Sequence, residues 1–69
     1  MADKIQAFTE AINEKFESEA ACARALGWAR QRLNKITTGQ MKPDVDDVNA
    51  LSAVLEISVG DVCSFFITN

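Results

Sequence analysis

The sequence predicts an all-α domain built from five short helices. Apolar side chains recur at steps of three and four residues along most of the chain, which is the spacing of one helix face. Three glycines and a single proline divide the chain into helix-sized pieces, and signals for β-strands are weak. A chain of 69 residues can bury only one small core, so we expect a single domain over residues 1–69 with no separate effector domain.

The first two helices are predicted from an apolar face and from a capping residue. Residues 3–16 carry apolar side chains at helical spacing, namely Ile5, Phe8, Ile12 and Phe16. The second helix covers about residues 18–26, because the Ser18 hydroxyl can accept hydrogen bonds from the free N–H groups of a first turn. It is expected to end at Gly27, where a left-handed backbone costs little free energy.

Only a short turn separates the second helix from a third, which covers about residues 29–37. Leu33 and Ile36 can pack inward together, and Gly39 ends the helix. Two helices joined by a three-residue turn with a glycine are typical of the helix-turn-helix motif, whose second helix can enter the major groove of DNA. Helix pairs with short turns are also common in bundles, so the spacing alone leaves both interpretations open.

The fourth and fifth helices follow a loop that contains Pro43. The fourth is capped by Asp44, and its first turn contains Asp46 and Asp47, which suit the positive end of the helix dipole better than a metal site. Ser58 is the predicted cap of the fifth. The predicted core comprises Phe8, Ile12, Leu26, Leu33, Ile36, Val48, Leu51, Leu55 and Val62.

Positive charge is gathered in one part of an acidic chain. The formal net charge is −3, yet residues 20–43 contain five basic residues and no acidic one. Residues 44–69 contain five acidic residues and no basic one. A cationic helix-turn-helix segment would attract DNA phosphates, while the acidic remainder would keep the other faces away from the duplex. The alternative is an ordinary solvated surface, although such a surface normally mixes both signs.

Composition argues against several other classes of protein. No apolar run approaches the length of about 18 residues that suggests a membrane span, and the N-terminus lacks the layout of a signal peptide, so we expect a cytoplasmic protein. We do not expect an enzyme, because the sequence has no histidine, no glycine loop that could hold a phosphate, and no carboxylate pair set apart from solvent-facing acidic clusters. We also expect no metal site, no cofactor and no small-molecule ligand. Cys22 and Cys63 occupy apolar positions of predicted helices, where buried reduced thiols are favoured over a disulfide.

The residues and their spacing along the chain resemble the lambda repressor and Cro-like regulators, the XRE family of helix-turn-helix proteins. The resemblance covers residues 5–66, nearly the whole chain. Laid on this chain without gaps, the family pattern falls on Ser18, Glu19, Cys22, Ala23, Leu26, Gly27, Trp28, Ala29, Leu33, Gly39 and Pro43, followed by the step from Leu55 to Ser58. It implies a lambda repressor-like fold in which the third helix is the recognition helix.

By position, the resemblance also implies which side chains contact DNA. The implied base contacts are Arg30, Gln31, Asn34 and Lys35. The implied phosphate contacts are Arg32, Thr38, Gln40 and Lys42. An arginine fork suits guanine and a glutamine amide suits adenine, and each good pair contributes about 1–3 kcal/mol of discrimination. For every one of these residues, the alternative is an ordinary exposed polar side chain.

Four positions depart from the family pattern. Thr38 stands where many relatives have a charged or amide side chain. Glu19 stands where the family commonly has a glutamine that bonds a phosphate, and a carboxylate there would repel one. Trp28 replaces a valine in the turn, and we expect it to pack in the core rather than form a semi-exposed contact. Ala29 replaces the serine that caps the recognition helix, a loss of about 1 kcal/mol.

The family often dimerises through the segment after the fourth helix, which implies dimer contacts by Phe65, Phe66 and Ile67. The alternative is that both phenylalanines fold back to complete the core. A two-fold dimer would place two recognition helices about 34 Å apart, in successive major grooves.

The leading hypothesis for function is a sequence-specific regulator of transcription that binds double-stranded DNA. It would be a Cro-like or repressor-like protein of phage or prophage origin that occupies an operator, as a homodimer at least on DNA. The alternative is a protein-interaction module with a helix-turn-helix fold, of the antitoxin or anti-repressor type, in which DNA binding is weak or absent. Glu19 and the sequence pI of about 4.7 lend that alternative some support.

Overall fold

Residues 5–66 are described by the computed structural model, and they form five α-helices with no strand among them. The helices are α1 (Gln6–Lys15), α2 (Glu19–Leu26), α3 (Arg30–Thr37), α4 (Val45–Leu55) and α5 (Val59–Phe66). The all-α prediction is confirmed, and α2 and α3 match their predicted ranges once the capping residues Ser18 and Ala29 are counted. None of the five helices is long and apolar enough to span a membrane alone, and α4 with α5 would qualify only as a pair bent by 117°.

Side chains explain where three of the helices begin. The Ser18 hydroxyl accepts a hydrogen bond of 3.1 Å from a first-turn N–H of α2. At the start of α4, Asp44 and Asp47 each accept a hydrogen bond from the other's backbone N–H, at 2.8 Å and 3.2 Å, which forms a capping box. The Ser58 hydroxyl accepts a 3.0 Å bond from a first-turn N–H of α5. These acceptors satisfy N–H groups that have no partner within the helix, so the predicted caps are confirmed.

The core is formed where the inward faces of all five helices meet. Its buried apolar members are Phe8, Ile12, Cys22, Ala23, Leu33, Ile36, Leu51, Leu55 and Val62. Of the predicted core residues, Leu26 and Val48 are only half-buried, although both pack against this cluster. The expectation of a buried thiol holds for Cys22 but is wrong for Cys63, which is exposed. Cys63 is exposed because Val62 takes the inward position of α5, and the next residue along a helix points about 100° away from it.

The last turn of α5 lies against α1. The Phe8 ring stacks on the Phe65 ring with centroids 5.8 Å apart, and it meets the Phe66 ring edge-on at 5.1 Å. Both C-terminal rings are half-buried, so they fold back onto the core and still expose part of their surface. Ile67, the third residue of the predicted dimer contact, lies outside the described residues. The dimer contact itself stays a prediction.

One helix end uses a conformation that side chains other than glycine rarely adopt. Glu56 ends α4 with a φ of 57°, the only positive φ outside glycine between residues 5 and 66. Its carboxylate forms an ion pair with Lys15 of α1, and this hydrogen-bonded ammonium lowers the pKa of the Glu56 carboxyl. The pair therefore ties the end of α4 to the end of α1.

Candidate nucleic-acid interface

The turn between α2 and α3 is closed by backbone hydrogen bonds. Gly27 has a φ of 76°, as predicted for the residue that ends α2. The Trp28 N–H then donates to the Ala23 carbonyl at 2.9 Å. Ala29 precedes α3 in an extended conformation and makes no side-chain capping bond. α3 therefore begins without the side-chain acceptor that a serine would supply.

α3 has one buried face and one exposed face. Leu33, Ile36 and Thr37 are fully buried and fix the helix on the domain. On the opposite side, a shallow depression is lined by Arg30, Gln31, Asn34, Lys35 and Gln40, which we call the recognition surface. The four residues predicted to contact bases therefore share one surface, and Gln40 of the following loop borders it.

The recognition surface carries two exposed cations. Arg30 and Lys35 are exposed, and neither forms an ion pair with any residue in the described range. Among residues 5–66, no carboxylate lines the depression. An exposed cationic surface of this kind attracts phosphates without regard to sequence, and its side chains can then reach base edges.

The four residues predicted to contact phosphates differ in their surroundings. Lys42 is exposed in the loop after α3. The Thr38 hydroxyl donates to the Asn34 carbonyl at 2.8 Å and accepts from the Gln40 amide at 3.1 Å, so both lie beside the recognition surface. Arg32 does not line that surface, because its guanidinium is engaged by a different cluster.

That cluster joins the turn, α3 and α4. The Arg32 guanidinium lies 4.5 Å from the centre of the Trp28 ring and forms an ion pair with Asp47, whose side chain is only 8% exposed. Trp28 packs against the core, as expected, but it stays half-buried. Sequence reasoning assigned Asp47 to the helix dipole alone, and no sequence spacing indicates its pairing with a residue of another helix.

Glu19 also faces the recognition helix. Its carboxylate accepts hydrogen bonds from the Thr37 hydroxyl at 3.4 Å and from the Asn34 amide at 3.5 Å. Burial, followed by the charge of Glu19, raises the pKa of the Cys22 thiol to about 11. Asn34 is therefore shared between the recognition surface and a carboxylate at the start of α2.

The most exposed large apolar side chains of the described part lie on another face. Val45 is 76% exposed and Val59 is 44% exposed. Together with Pro43, Val48 and Cys63 they border an apolar groove near the starts of α4 and α5. Sequence reasoning does not predict this groove, because it assigns Val48 to the core and gives Val45 and Val59 no face of their helices.

Two comparisons of the chain with known proteins gave no match, and one gave a family. No curated protein and no solved structure gives a significant match. A family model described as helix-turn-helix matches residues 18–62, from the cap of α2 into α5. Within residues 5–66, no group of three or more metal-binding side chains is arranged to hold a metal ion.

Proposed function

Because the chain belongs to the helix-turn-helix family of the XRE type, we propose that it is a sequence-specific DNA-binding regulator of transcription. The family consists of DNA-binding regulatory domains and not of enzymes. In this proposal α3 enters the major groove, and the protein acts in the Cro-like or repressor-like manner by occupying an operator. A phage or prophage origin is part of the same hypothesis.

The recognition surface is the observation that supports the proposal. Arg30 and Gln31 are exposed in the first turn of α3, beside Lys35 one turn later. In the proposal the Arg30 fork reads guanine, the Gln31 amide reads adenine, and Asn34 and Lys35 reach neighbouring bases. Thr38, Gln40 and Lys42 would then follow the phosphate backbone, as their place at and after the end of α3 allows.

The experiment is a selection of binding sites from a random pool of duplex DNA, followed by titrations of the selected site and of a mixed-sequence duplex. The double substitution R30A/Q31A should abolish the preference for the selected site and leave the helical circular dichroism intact, because both side chains are exposed. Q6A, at an exposed glutamine of α1, is the matched control. If R30A/Q31A keeps the preference, α3 is not the reading helix.

We also propose that the protein binds its operator as a homodimer. Two-fold symmetry would present two copies of α3 to successive major grooves, and the selected site should then be a palindrome. The proposed contacts are Phe65, Phe66 and Ile67, and the exposed Val45 of the apolar groove marks a competing surface. Sedimentation of the protein with its selected duplex should show a dimer bound to DNA. I67K should weaken this dimer, and V45K should leave it unchanged. The opposite result would move the contact to the groove.

A second candidate function is a protein-interaction module of the antitoxin or anti-repressor type. The Glu19 carboxylate favours it, because negative charge at the start of α2, next to Asn34, opposes a nearby phosphate. The two candidates differ in salt dependence. A DNA-binding domain loses affinity for duplex DNA steeply as salt rises, whereas a protein module shows no binding above background even at low salt.

A further inference from the structure

We propose that Arg32 is a positioning residue, which holds the first turn of the recognition helix to α4 through Asp47 and does not contact a phosphate. This inference rests on the proposed function, because the orientation of α3 affects recognition only if α3 reads DNA. In this proposal, Arg32 contributes to the preference for one DNA sequence although its side chain contacts no base.

The first step concerns the direction of the side chain. Successive residues of an α-helix are rotated by about 100°, so positions 30, 31, 34 and 35 share a face that position 32 leaves. Arg32 accordingly does not line the recognition surface, although Gln31 before it and Asn34 after it in α3 both do. Its guanidinium points to Trp28 and Asp47 instead.

The second step concerns how firmly the guanidinium is held. The Asp47 carboxylate is 8% exposed and also accepts a 3.2 Å hydrogen bond from the Asp44 N–H. A carboxylate so far removed from water is costly without a cationic partner, and Arg32 is that partner. The Trp28 ring lies 4.5 Å from the guanidinium and suits its planar, weakly hydrated charge. The Arg32 side chain is 42% exposed, and a phosphate would have to compete with Asp47 and the Trp28 ring for its guanidinium.

The third step concerns what the pair does for α3. The helix begins at Ala29 without a side-chain cap, so its first turn lacks the usual anchor. Arg32 lies in that first turn, together with the exposed Arg30 and Gln31. The link to Asp47 joins this turn to the first turn of α4, which the capping box closes. The pair therefore sets the angle at which Arg30 and Gln31 meet DNA.

The two roles of Arg32 predict different results for D47N, one in the affinity for every duplex and the other in the ratio of two affinities. If Arg32 contacts a phosphate, removing the charge of Asp47 frees the guanidinium, and every duplex binds more tightly. If Arg32 positions α3, D47N lowers the ratio of affinities for the selected site and a mixed-sequence duplex, by about 10-fold, a loss of the size of one base contact. R32A should lower the ratio equally, and R32A/D47N should be no worse than either single variant. D46N removes the same charge from an exposed neighbour and should leave the ratio unchanged.

Two further readouts separate positioning from a general loss of stability. If Arg32 does not contact a phosphate, the slope of log affinity against log salt concentration should be the same in R32A as in the wild type. Loss of a phosphate contact would instead reduce the magnitude of that slope by about 1. Emission from Trp28, the single tryptophan, should change in R32A and in D47N but not in D46N. R32M keeps an apolar stem against the ring and replaces R32A if the helical circular dichroism of R32A falls.

The outcomes also distinguish this inference from the proposed function. A wild-type protein that shows no preference for any duplex overturns both. A wild-type preference combined with a reduced salt slope in R32A and tighter binding by D47N overturns only the positioning role and restores the phosphate contact. A lower affinity ratio in both single variants, at an unchanged slope, supports the inference.

Discussion

Replacing Gly27 and Gly60 by alanine should change stability in opposite directions. Gly27 ends α2 with a φ of 76°, and a Cβ added there would meet no atom within 4 Å. The cost of G27A therefore comes from the backbone alone, about 1–2 kcal/mol for a left-handed residue. The stiffer unfolded chain offsets about 0.4–1 kcal/mol of this. G27A should thus destabilise the domain by about 1 kcal/mol.

Gly60 lies inside α5, where a Cβ would meet only the Ser58 hydroxyl oxygen at 3.8 Å, an ordinary van der Waals contact. Alanine is a better helix former than glycine, so G60A should stabilise the domain by about 0.5–1 kcal/mol. Urea titration followed by circular dichroism measures both changes, and thermal unfolding should move by about 4–8 °C per kcal/mol in a domain of this size.

G39A is the matched control, because Gly39 has a φ of 80° and is equally free of nearby atoms. It should resemble G27A and not G60A. The reasoning is refuted if G27A and G39A leave the urea midpoint unchanged, since the left-handed backbone would then cost nothing. It is also refuted if G60A lowers the midpoint, because the open space around α5 would then be absent in solution.

Further predictions follow from individual side chains. Iodoacetamide should modify the exposed Cys63 in the native protein and reach the buried Cys22 only on unfolding, as mass spectrometry of digested protein can verify. Because the Cys22 thiol has a pKa raised from 9.0 to about 11, unfolding should become easier as pH rises from 9.0 to 11, and C22A should flatten that part of the urea midpoint profile. The Glu56 carboxyl has a lowered pKa, so its pairing with Lys15 stabilises the fold above pH 4.5, the ordinary pKa, and this stabilisation is lost as pH falls. K15M should therefore flatten the fall of the urea midpoint at acid pH, and an unchanged acid profile would contradict the pairing. L33A should lower the free energy of unfolding by about 2–5 kcal/mol, because the side chain is fully buried, and a loss below about 1 kcal/mol would contradict its place in the core.

Local rules of the chain predicted most of the fold. Ser18, Asp44 and Ser58 were recognised as caps because capping depends on a side chain and the N–H groups of the next turn. Gly27 was recognised as a helix end for a similarly local reason. The common surface of the predicted base-contact residues follows from helical spacing alone.

Contacts between helices could not be predicted in the same way. Arg32 meets Asp47, and Asn34 meets Glu19, each across 15 positions of sequence. Such pairs depend on how α3 crosses its neighbours, and a single sequence contains no record of that crossing. The exposure of Cys63 was missed because apolar character alone does not distinguish it from the adjacent Val62, which occupies the inward position.

The net charge of −3 does not describe how the exposed charges are distributed over the folded domain. Exposed cations gather at the recognition surface, while the exposed carboxylates of α4 and α5 include Asp46 and Asp61. The field of a polyanion attracts a cationic surface of this kind and favours encounters in which that surface arrives first. The same carboxylates slow any approach in the wrong orientation. For the proposed DNA-binding function, the place of the exposed cations therefore matters more than the sign of the net charge.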